Sequence, residues 1–118
     1  MATPNLANVA TIKPFTVIGT LGTSGAVFVD VPAESCMKIE SIYIANKDGT
    51  NTATASVYVS DDNGSSSSYL IHAVPVPPGG SISVLDSPLY LDETDLIYGE
   101  ASAANDIDIV ISGTELID

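Results

Sequence analysis

Short runs rich in Val, Ile, Thr and Tyr recur along this chain, and clusters of Gly, Pro, Asn, Asp and Ser separate them. Helical periodicity is almost absent, so the apolar residues do not form the stripe that a packed helix needs. Short β-prone runs between turn residues are typical of a sandwich, a jelly roll or a small barrel. We predict an all-β fold, an antiparallel, jelly-roll-like β-sandwich of about eight strands: Ile12–Thr20, Ala26–Val31, Met37–Ala45, Thr54–Ser60, Ser68–Val74, Ser81–Leu85, Asp95–Ala101 and Ile107–Ser112.

Alternation within the runs predicts which faces are buried. In the last run, Ile107, Ile109 and Ile111 share one face, as in a strand with one side against a core. The third run alternates in the same way through Met37–Glu40, whereas Ile42–Ile44 places large side chains on both faces. We therefore expect the first half of that strand to have one wet face and its second half to be covered on both sides.

Turn chemistry predicts the connections between the strands. The segments Asn46–Gly49 and Asp61–Gly64 each end in a glycine that is suited to positive φ. The serine run Ser65–Ser68 is expected to be an exposed loop tip, and Pro75–Gly80 a stiff corner outside any central strand. The segment Ala103–Asp106 predicts a short hairpin connection between the last two strands.

The length of 118 residues fits one domain that is large enough to fold without a disulfide or a metal. We place a single β-sandwich domain at residues 12–118 and an N-terminal arm at residues 1–11. The arm has no charged side chain and no strand alternation, and Pro4 favours an extended conformation. It is either a frayed end or a segment that docks on a neighbouring protein, with Leu6 and Val9 as its anchors.

The charge balance excludes several partners. Fifteen acidic residues against three lysines and no arginine give a net charge of −12. Nucleic acids and anionic membranes both require basic residues, so we expect neither as a partner. No apolar run is long enough for a membrane span, and the first residues do not resemble a signal peptide. The single cysteine, Cys36, gives no intrachain disulfide, and nothing in the sequence implies an oxidising compartment.

No set of side chains predicts catalysis. His72 and Cys36 are the one imidazole and the one thiol, and without a supporting motif we interpret them as ordinary strand residues. The acidic cluster Asp92, Glu93 and Asp95 offers oxygen ligands for calcium, but it lacks the spacing of a calcium loop. A solvated acidic turn explains it better. We expect no enzyme activity, no metal and no cofactor.

Beyond Ser41 the chain carries several segments with a recognisable pattern: Ser41–Asn51, Ala55–Val59, Tyr69–Pro77, Leu89–Ile97 and Ala101–Ser112. Together they resemble small virion structural proteins of tailed bacteriophages, especially marine and cyanobacterial phages. The resemblance implies a capsid decoration (cement) protein that binds the shell of the major capsid protein. A tail, neck, baseplate or fibre component is an alternative that the resemblance also allows.

A receptor- or glycan-binding module is a further alternative from a different functional class. Such a module needs exposed aromatic side chains near its loop tips. The five tyrosines, Tyr43, Tyr58, Tyr69, Tyr90 and Tyr98, instead fall in strands or at strand edges, where we expect core or interface packing.

The acidic charge predicts a position on the capsid exterior, because packed DNA inside a capsid repels a protein of net charge −12. Nine of the fifteen acidic residues lie between Asp86 and Asp118, so we expect the C-terminal third to be the most solvated part. Decoration proteins at threefold axes often form trimers, and we expect a homotrimer or another homo-oligomer.

Overall fold

A computed structural model describes residues 11–61 and 66–117 of the chain. Within those ranges it contains no helix, and so no helix that is long and apolar enough to cross a membrane. Nine strands account for most of the described residues, which confirms the all-β prediction. They are β1 Thr11–Thr20, β2 Ala26–Asp30, β3 Ser35–Asn46, β4 Ala53–Asp61, β5 Ser66–Val76, β6 Ser81–Ser83, β7 Leu89–Leu91, β8 Leu96–Ala101 and β9 Ile107–Ile117.

The strands form two antiparallel sheets that pack as a sandwich. The strand order is β1-β9-β3-β6 in sheet A, where short β7 also pairs with β3, and β2-β8-β4-β5 in sheet B. Alternate residues of the central strands point inward and fill the space between the sheets. The predicted face of β9 is buried as expected. The large side chains with almost no exposed surface include Leu21, Val31, Ile39, Ile42, Ile44, Val57, Val76, Ile97, Ile107, Ile109 and Ile111.

The connection before β9 changes sheets. Residues Ala103–Asp106 lead from β8 in sheet B to β9 in sheet A, so the predicted hairpin is wrong. Turn residues specify a local reversal, whereas the sheet that the next strand joins depends on contacts distant in sequence. Positive φ occurs here at Asn105 (67°) and elsewhere at Gly79 (70°), but not at Gly49, where the sequence predicts it.

A β-bulge at Glu40 changes which residues of β3 are buried. The register between β3 and β9 skips one β3 residue just after Ile39. The extra residue shifts the alternation by one position, so Ile39 faces the core before the bulge and Ile42 and Ile44 face it afterwards. The second half of β3 is therefore not covered on both sides, and Tyr43 points outward with 51% of its surface exposed.

Several strands differ in length from the prediction. Strand β9 continues to Ile117 rather than ending at Ser112, because it pairs with a strand on each side along its length. Strand β5 begins at Ser66, so the serines up to Ser68 are exposed residues of an edge strand rather than a loop tip. Strand β7 is one that the pattern does not predict. The turn glycine Gly64 lies outside the described residues.

The C-terminal third is not the most solvated part of the protein. It supplies β8 and β9, which are interior strands of sheets B and A. Two of its acidic residues, Glu93 and Glu115, are buried, and the Lys13 Nζ lies 3.7 Å from a carboxylate oxygen of Glu115. The expectation fails because the number of acids in a segment does not determine where its strands lie in a sheet.

Candidate binding surfaces

A row of tyrosines crosses the outer face of sheet B. The register places Tyr98 of β8 opposite Tyr58 of β4, and Tyr58 opposite Tyr69 of β5. The rings of Tyr58 and Tyr98 stack with centroids 5.0 Å apart and 3° between their planes. The Tyr69 ring lies 5.1 Å from the Tyr58 ring at 57°. Side chains that face each other across neighbouring strands interact directly, so the pairing of three strands builds this row.

The first of two bulges in β5 adds His72 to the tyrosine row. In a regular strand, residues three apart, such as Tyr69 and His72, point to opposite faces. Relative to β4, strand β5 contains one extra residue between Tyr69 and Ile71 and another between Ile71 and Val74. The Tyr69 and His72 rings consequently meet edge to face, with centroids 4.5 Å apart. The bulges also interrupt the period-two alternation of β5 around His72.

The row borders an open cavity of about 320 Å³. The Ala73 N–H donates a hydrogen bond to Ser56 Oγ over 2.8 Å, and the Thr54 N–H donates one to Ser102 Oγ over 2.9 Å. Each serine oxygen is thus held by the backbone while its own proton remains available to an acceptor. The cavity lining consists of Thr54, Ser56, Tyr69, His72, Glu100, Ala101 and Ser102.

The electrostatics of this cavity are set by Glu100. Burial raises the pKa of the Tyr58 phenol above its ordinary value, and the nearby Glu100 carboxylate raises that pKa further. Tyr58 therefore stays protonated at neutral pH, and no lysine lines the cavity. The cavity combines a carboxylate acceptor, hydroxyl donors and one aromatic wall.

The outer face of sheet A carries a second surface, which is apolar. It holds five of the seven exposed large apolar or aromatic residues among those described. Ile18, Val110 and Tyr43 are cross-strand neighbours in one row, with 77%, 36% and 51% of their surface exposed. Ile12 and Tyr90 lie elsewhere on the same face. Contiguous exposed apolar residues of this kind are typical of surfaces that bind another protein.

The same face of sheet A has almost no net charge. Around the row of Ile18, Val110 and Tyr43 its charged residues are Glu40 and Asp108 together with Lys38 and Lys47, in a chain of net charge −12. Asp92 follows β7 near Cys36, at the other end of the sheet. Hydrogen bonds from Lys47 Nζ (2.9 Å) and Thr20 Oγ1 (2.8 Å) hold the pKa of the Asp108 carboxyl below its ordinary value. A partner that covers the row of apolar side chains has little net charge to desolvate there.

The acidic turn Asp92–Asp95 binds its own backbone. Asp95 Oδ2 accepts a hydrogen bond from the Asp92 N–H over 2.9 Å, and Asp92 Oδ1 accepts one from the Glu93 N–H over 2.7 Å. Glu93 Oε2 accepts the Glu34 N–H over 2.9 Å. Across residues 11–61 and 66–117, no group of three or more His, Cys, Asp or Glu side chains is arranged to hold a metal ion. In this structure the three carboxylates order a turn.

His72 and Cys36 lie in different sheets. Cys36 is buried in β3 of sheet A, and His72 is an exposed residue of β5 in sheet B. Burial, and then the charge of Asp92, raises the pKa of the Cys36 thiol. A raised pKa keeps the thiol protonated and weakly nucleophilic, which agrees with its interpretation as an ordinary strand residue.

The N-terminal arm lies almost entirely outside the described residues. The proposed anchors Leu6 and Val9 both fall in residues 1–10, which the structure does not describe. Thr11, placed in the arm by the sequence pattern, is the first residue of β1. Among the described strands, β1 pairs only with β9, so the arm joins the domain at an edge of sheet A.

Sequence reasoning misses the tyrosine row. All five tyrosines lie in strands as predicted, but Tyr43, Tyr69 and Tyr90 are each more than half exposed, so of the two expected uses, core or interface packing, the core is excluded for these three. The recurrence of tyrosine in three β-prone runs is the signal that the sequence offers. It cannot show that Tyr58, Tyr69 and Tyr98 are neighbours, because that requires the register of β4, β5 and β8.

The fold has counterparts among solved structures, although no protein-family model and no curated protein sequence matches the chain. It is similar to a chain from Bacillus endospore appendages, described as disulfide-linked pili, with TM-score 0.53, 16% identity and coverage of 91% of this chain and 87% of that chain. It is also similar to a chain from the acid-stable capsid of Helicobacter pylori bacteriophage KHP30, with TM-score 0.52, 12% identity and coverage of 93% and 90%.

A third similar structure is the Drosophila NLP core, which is described in terms of pentamer formation and histone binding. Its TM-score is 0.51, its identity is 13%, and the match covers 87% of this chain and 97% of that chain. At these identities the likeness is one of fold. The chain therefore has an all-β fold that is also found in a phage capsid, a bacterial pilus and a pentamer-forming core.

Proposed function

We propose that this protein is a virion structural protein of a tailed bacteriophage, most specifically a capsid decoration (cement) protein. It binds the outer surface of the shell of the major capsid protein and has no enzymatic role. The observation that carries the proposal is the apolar, nearly neutral outer face of sheet A in a protein of net charge −12. Placed on a shell, this face turns the acidic remainder outward, where like charge keeps particles apart.

The major capsid protein shell is the proposed occupant of this face for an electrostatic reason. Free copies of a protein of net charge −12 repel each other, whereas an assembled shell presents a fixed partner surface. A protein that binds the assembled shell and not its loose subunits stabilises the shell by mass action. The likeness of fold to a phage capsid chain and the resemblance to marine and cyanobacterial phage proteins support this assignment.

On the shell we propose a homotrimer or another homo-oligomer. The pentamer formation that is described for the similar Drosophila core supports the idea that this fold assembles with itself. In a homo-oligomer the contact between copies repeats around one symmetry axis, so a single surface patch is used several times. We propose that the protein is made in the cytoplasm of the bacterial host before it joins the virion exterior.

A tail, neck, baseplate or fibre component would use the same fold in a different place. Copy number per purified virion, measured by quantitative mass spectrometry, separates the two functions. Shell decoration predicts on the order of hundreds of copies, because the shell repeats its subunits by symmetry. A small multiple of three or six contradicts decoration and supports a tail or neck position.

The Ile18→Asp variant is expected to bind undecorated shells more than about tenfold more weakly, a loss of about 1.4 kcal/mol or more. The substitution puts a charge in the proposed contact, where burial would have to desolvate it. Ile18 is 77% exposed, so the fold of the variant is expected to be intact. Co-sedimentation with shells measures the affinity, and far-ultraviolet circular dichroism checks the fold.

The matched control is Val27→Asp, because Val27 is also an exposed apolar residue (47%) but belongs to sheet B. It is expected to bind shells within about twofold of the wild-type protein, which corresponds to about 0.4 kcal/mol. Equal losses in the two variants would show that added negative charge, rather than the sheet A face, weakens binding.

The N-terminal arm is proposed to add a second contact with the shell or with a neighbouring copy. Deletion of residues 1–10, which contain Leu6 and Val9, is expected to weaken shell binding by more than about tenfold, because a second contact raises avidity. The truncated chain keeps all of β1, so its sandwich is expected to fold. Unchanged shell binding by the folded, truncated protein would identify the segment as a frayed end.

A further inference from the structure

We propose that the cavity on the outer face of sheet B binds a neutral carbohydrate, through one pyranose ring with adjacent hydroxyl groups. The site is Tyr69, His72 and Glu100 with the hydroxyls of Ser56 and Ser102. The inference goes beyond the proposed role on a shell. It concerns the opposite face of the sandwich, which remains accessible when sheet A is covered.

The aromatic wall provides the apolar part of the contact. Tyr69 is 53% exposed, and its ring is braced by Tyr58 at 5.1 Å and by His72 at 4.5 Å. A braced ring loses little conformational freedom when a ligand packs on it, and the C–H groups of a pyranose form a flat apolar surface of comparable size. A strand face, rather than a loop tip, supplies this aromatic ring.

The polar wall matches the chemistry of a sugar diol. Ser56 and Ser102 each accept a backbone N–H, at 2.8 and 2.9 Å, and so direct their own protons elsewhere. The carboxylate of Glu100 supplies acceptor oxygens to the same cavity. A sugar hydroxyl both donates and accepts, so two neighbouring hydroxyls can satisfy a serine donor and the carboxylate acceptor together.

Charge selects a neutral sugar over an acidic one. Glu100 lies in the cavity lining, no lysine does, and the whole chain carries −12. A uronate, a sialic acid or a phosphate would therefore approach a site of its own sign. An organic cation would be attracted to the same carboxylate and aromatic ring, and the experiment below treats it as a competing outcome.

The backbone of β5 supports a binding role for this cavity. The bulge between Tyr69 and Ile71 brings Tyr69 and His72 to one face, and Ala73 has φ of 49°, which is uncommon for a residue with a side chain. The Ser56 hydroxyl holds this conformation through the Ala73 N–H. Bulges and unfavourable backbone conformations concentrate at functional sites, where they aim side chains.

The test is a titration of the ¹⁵N-labelled full-length protein, followed by NMR amide shifts. The neutral probes are the methyl glycosides of glucose, galactose, mannose and N-acetylglucosamine. Methyl glucuronide is the acidic probe, and tetramethylammonium is the cationic probe. At least one neutral glycoside is expected to shift the amides of His72, Glu100 and Ser102 in a saturable way below about 20 mM. Glucuronide is expected to leave these amides unshifted, and tetramethylammonium is expected to shift them only at concentrations above those at which the glycoside saturates.

Variants assign the binding to the cavity. Tyr69→Ala and Glu100→Gln are each expected to weaken glycoside binding by more than about tenfold, and Tyr69→Phe, which keeps the ring, by less than about threefold. The matched control is Tyr90→Ala, because Tyr90 is an equally exposed tyrosine (59%) on sheet A. It is expected to bind as the wild type does.

Three results would overturn the proposal. They are the absence of saturable binding by any neutral glycoside, binding that Tyr69→Ala and Glu100→Gln leave intact, and binding of tetramethylammonium in preference to the sugars. The last result would identify the cavity as a cation site. None of them bears on shell binding through sheet A, so this inference and the proposed function fail separately.

Discussion

The Gly113→Ala variant is expected to lose about 3 kcal/mol or more of its free energy of unfolding, the largest effect that we expect from one added methyl group. Gly113 lies inside β9, the strand between β1 and β3. A Cβ there would overlap the carbonyl oxygen of Lys38 and lie 3.0 Å from the Ile39 Cα. These are backbone atoms beside the bulge at Glu40, and they cannot withdraw without breaking the β3–β9 ladder.

Urea denaturation of the variant and of a matched control measures this effect. The control is Gly49→Ala, because an added Cβ at Gly49 meets nothing within 4 Å and the backbone there has no positive φ. It is expected to change stability by less than about 1 kcal/mol, with a small gain from the stiffer unfolded chain. A Gly113→Ala protein as stable as the Gly49→Ala protein would show that the ladder at the bulge can adjust.

The Asn46→Ala variant is expected to lose about 2 to 3 kcal/mol, because it leaves buried backbone groups without hydrogen bonds. Asn46 ends β3 and is 2% exposed. Its Nδ2 donates to the carbonyl oxygens of Asn51 and Val76, both over 2.9 Å, and its Oδ1 accepts the Asp48 N–H over 2.9 Å. One side chain thus joins the crossover between the sheets to the end of β5.

Thermal and urea denaturation should both show the loss in Asn46→Ala, with an unchanged dependence on denaturant concentration if unfolding stays two-state. The control is Asn51→Ala, because the Asn51 side chain is exposed and makes a longer hydrogen bond, 3.3 Å, to Asp48 Oδ2. It is expected to cost less than about 1 kcal/mol. Comparable losses in both variants would assign the stability to the loop rather than to the buried amide.

The two surfaces differ in how far the sequence could predict them. The neutral face of sheet A depends on which residues of β1, β3 and β9 are outward neighbours, and the bulge at Glu40 decides this for β3. Without that bulge, Tyr43 would share the inward face with Ile39, and the exposed row would lack its third member. The low net charge that distinguishes this face from the rest of the acidic chain is visible only after the strands are assembled.

The cavity on sheet B was beyond sequence reasoning for a related reason. Tyr58, Tyr69 and Tyr98 are separated by 11 and 29 positions along the chain (69 − 58 and 98 − 69), and only strand pairing makes them neighbours. His72 joins them through bulges, which leave no period-two pattern to read. The sequence could therefore indicate β-prone tyrosines but not their common face.

The sequence by itself determined the all-β class, the existence of eight of the nine strands and the buried isoleucine face of β9. These features follow from local alternation and turn residues, which act over a few positions. Only the tertiary structure decided that β8 and β9 belong to different sheets, that the acid-rich C-terminal third supplies interior strands, and which side chains meet on the outer faces. Those outcomes depend on register and bulges between distant segments, whose energies no local pattern contains.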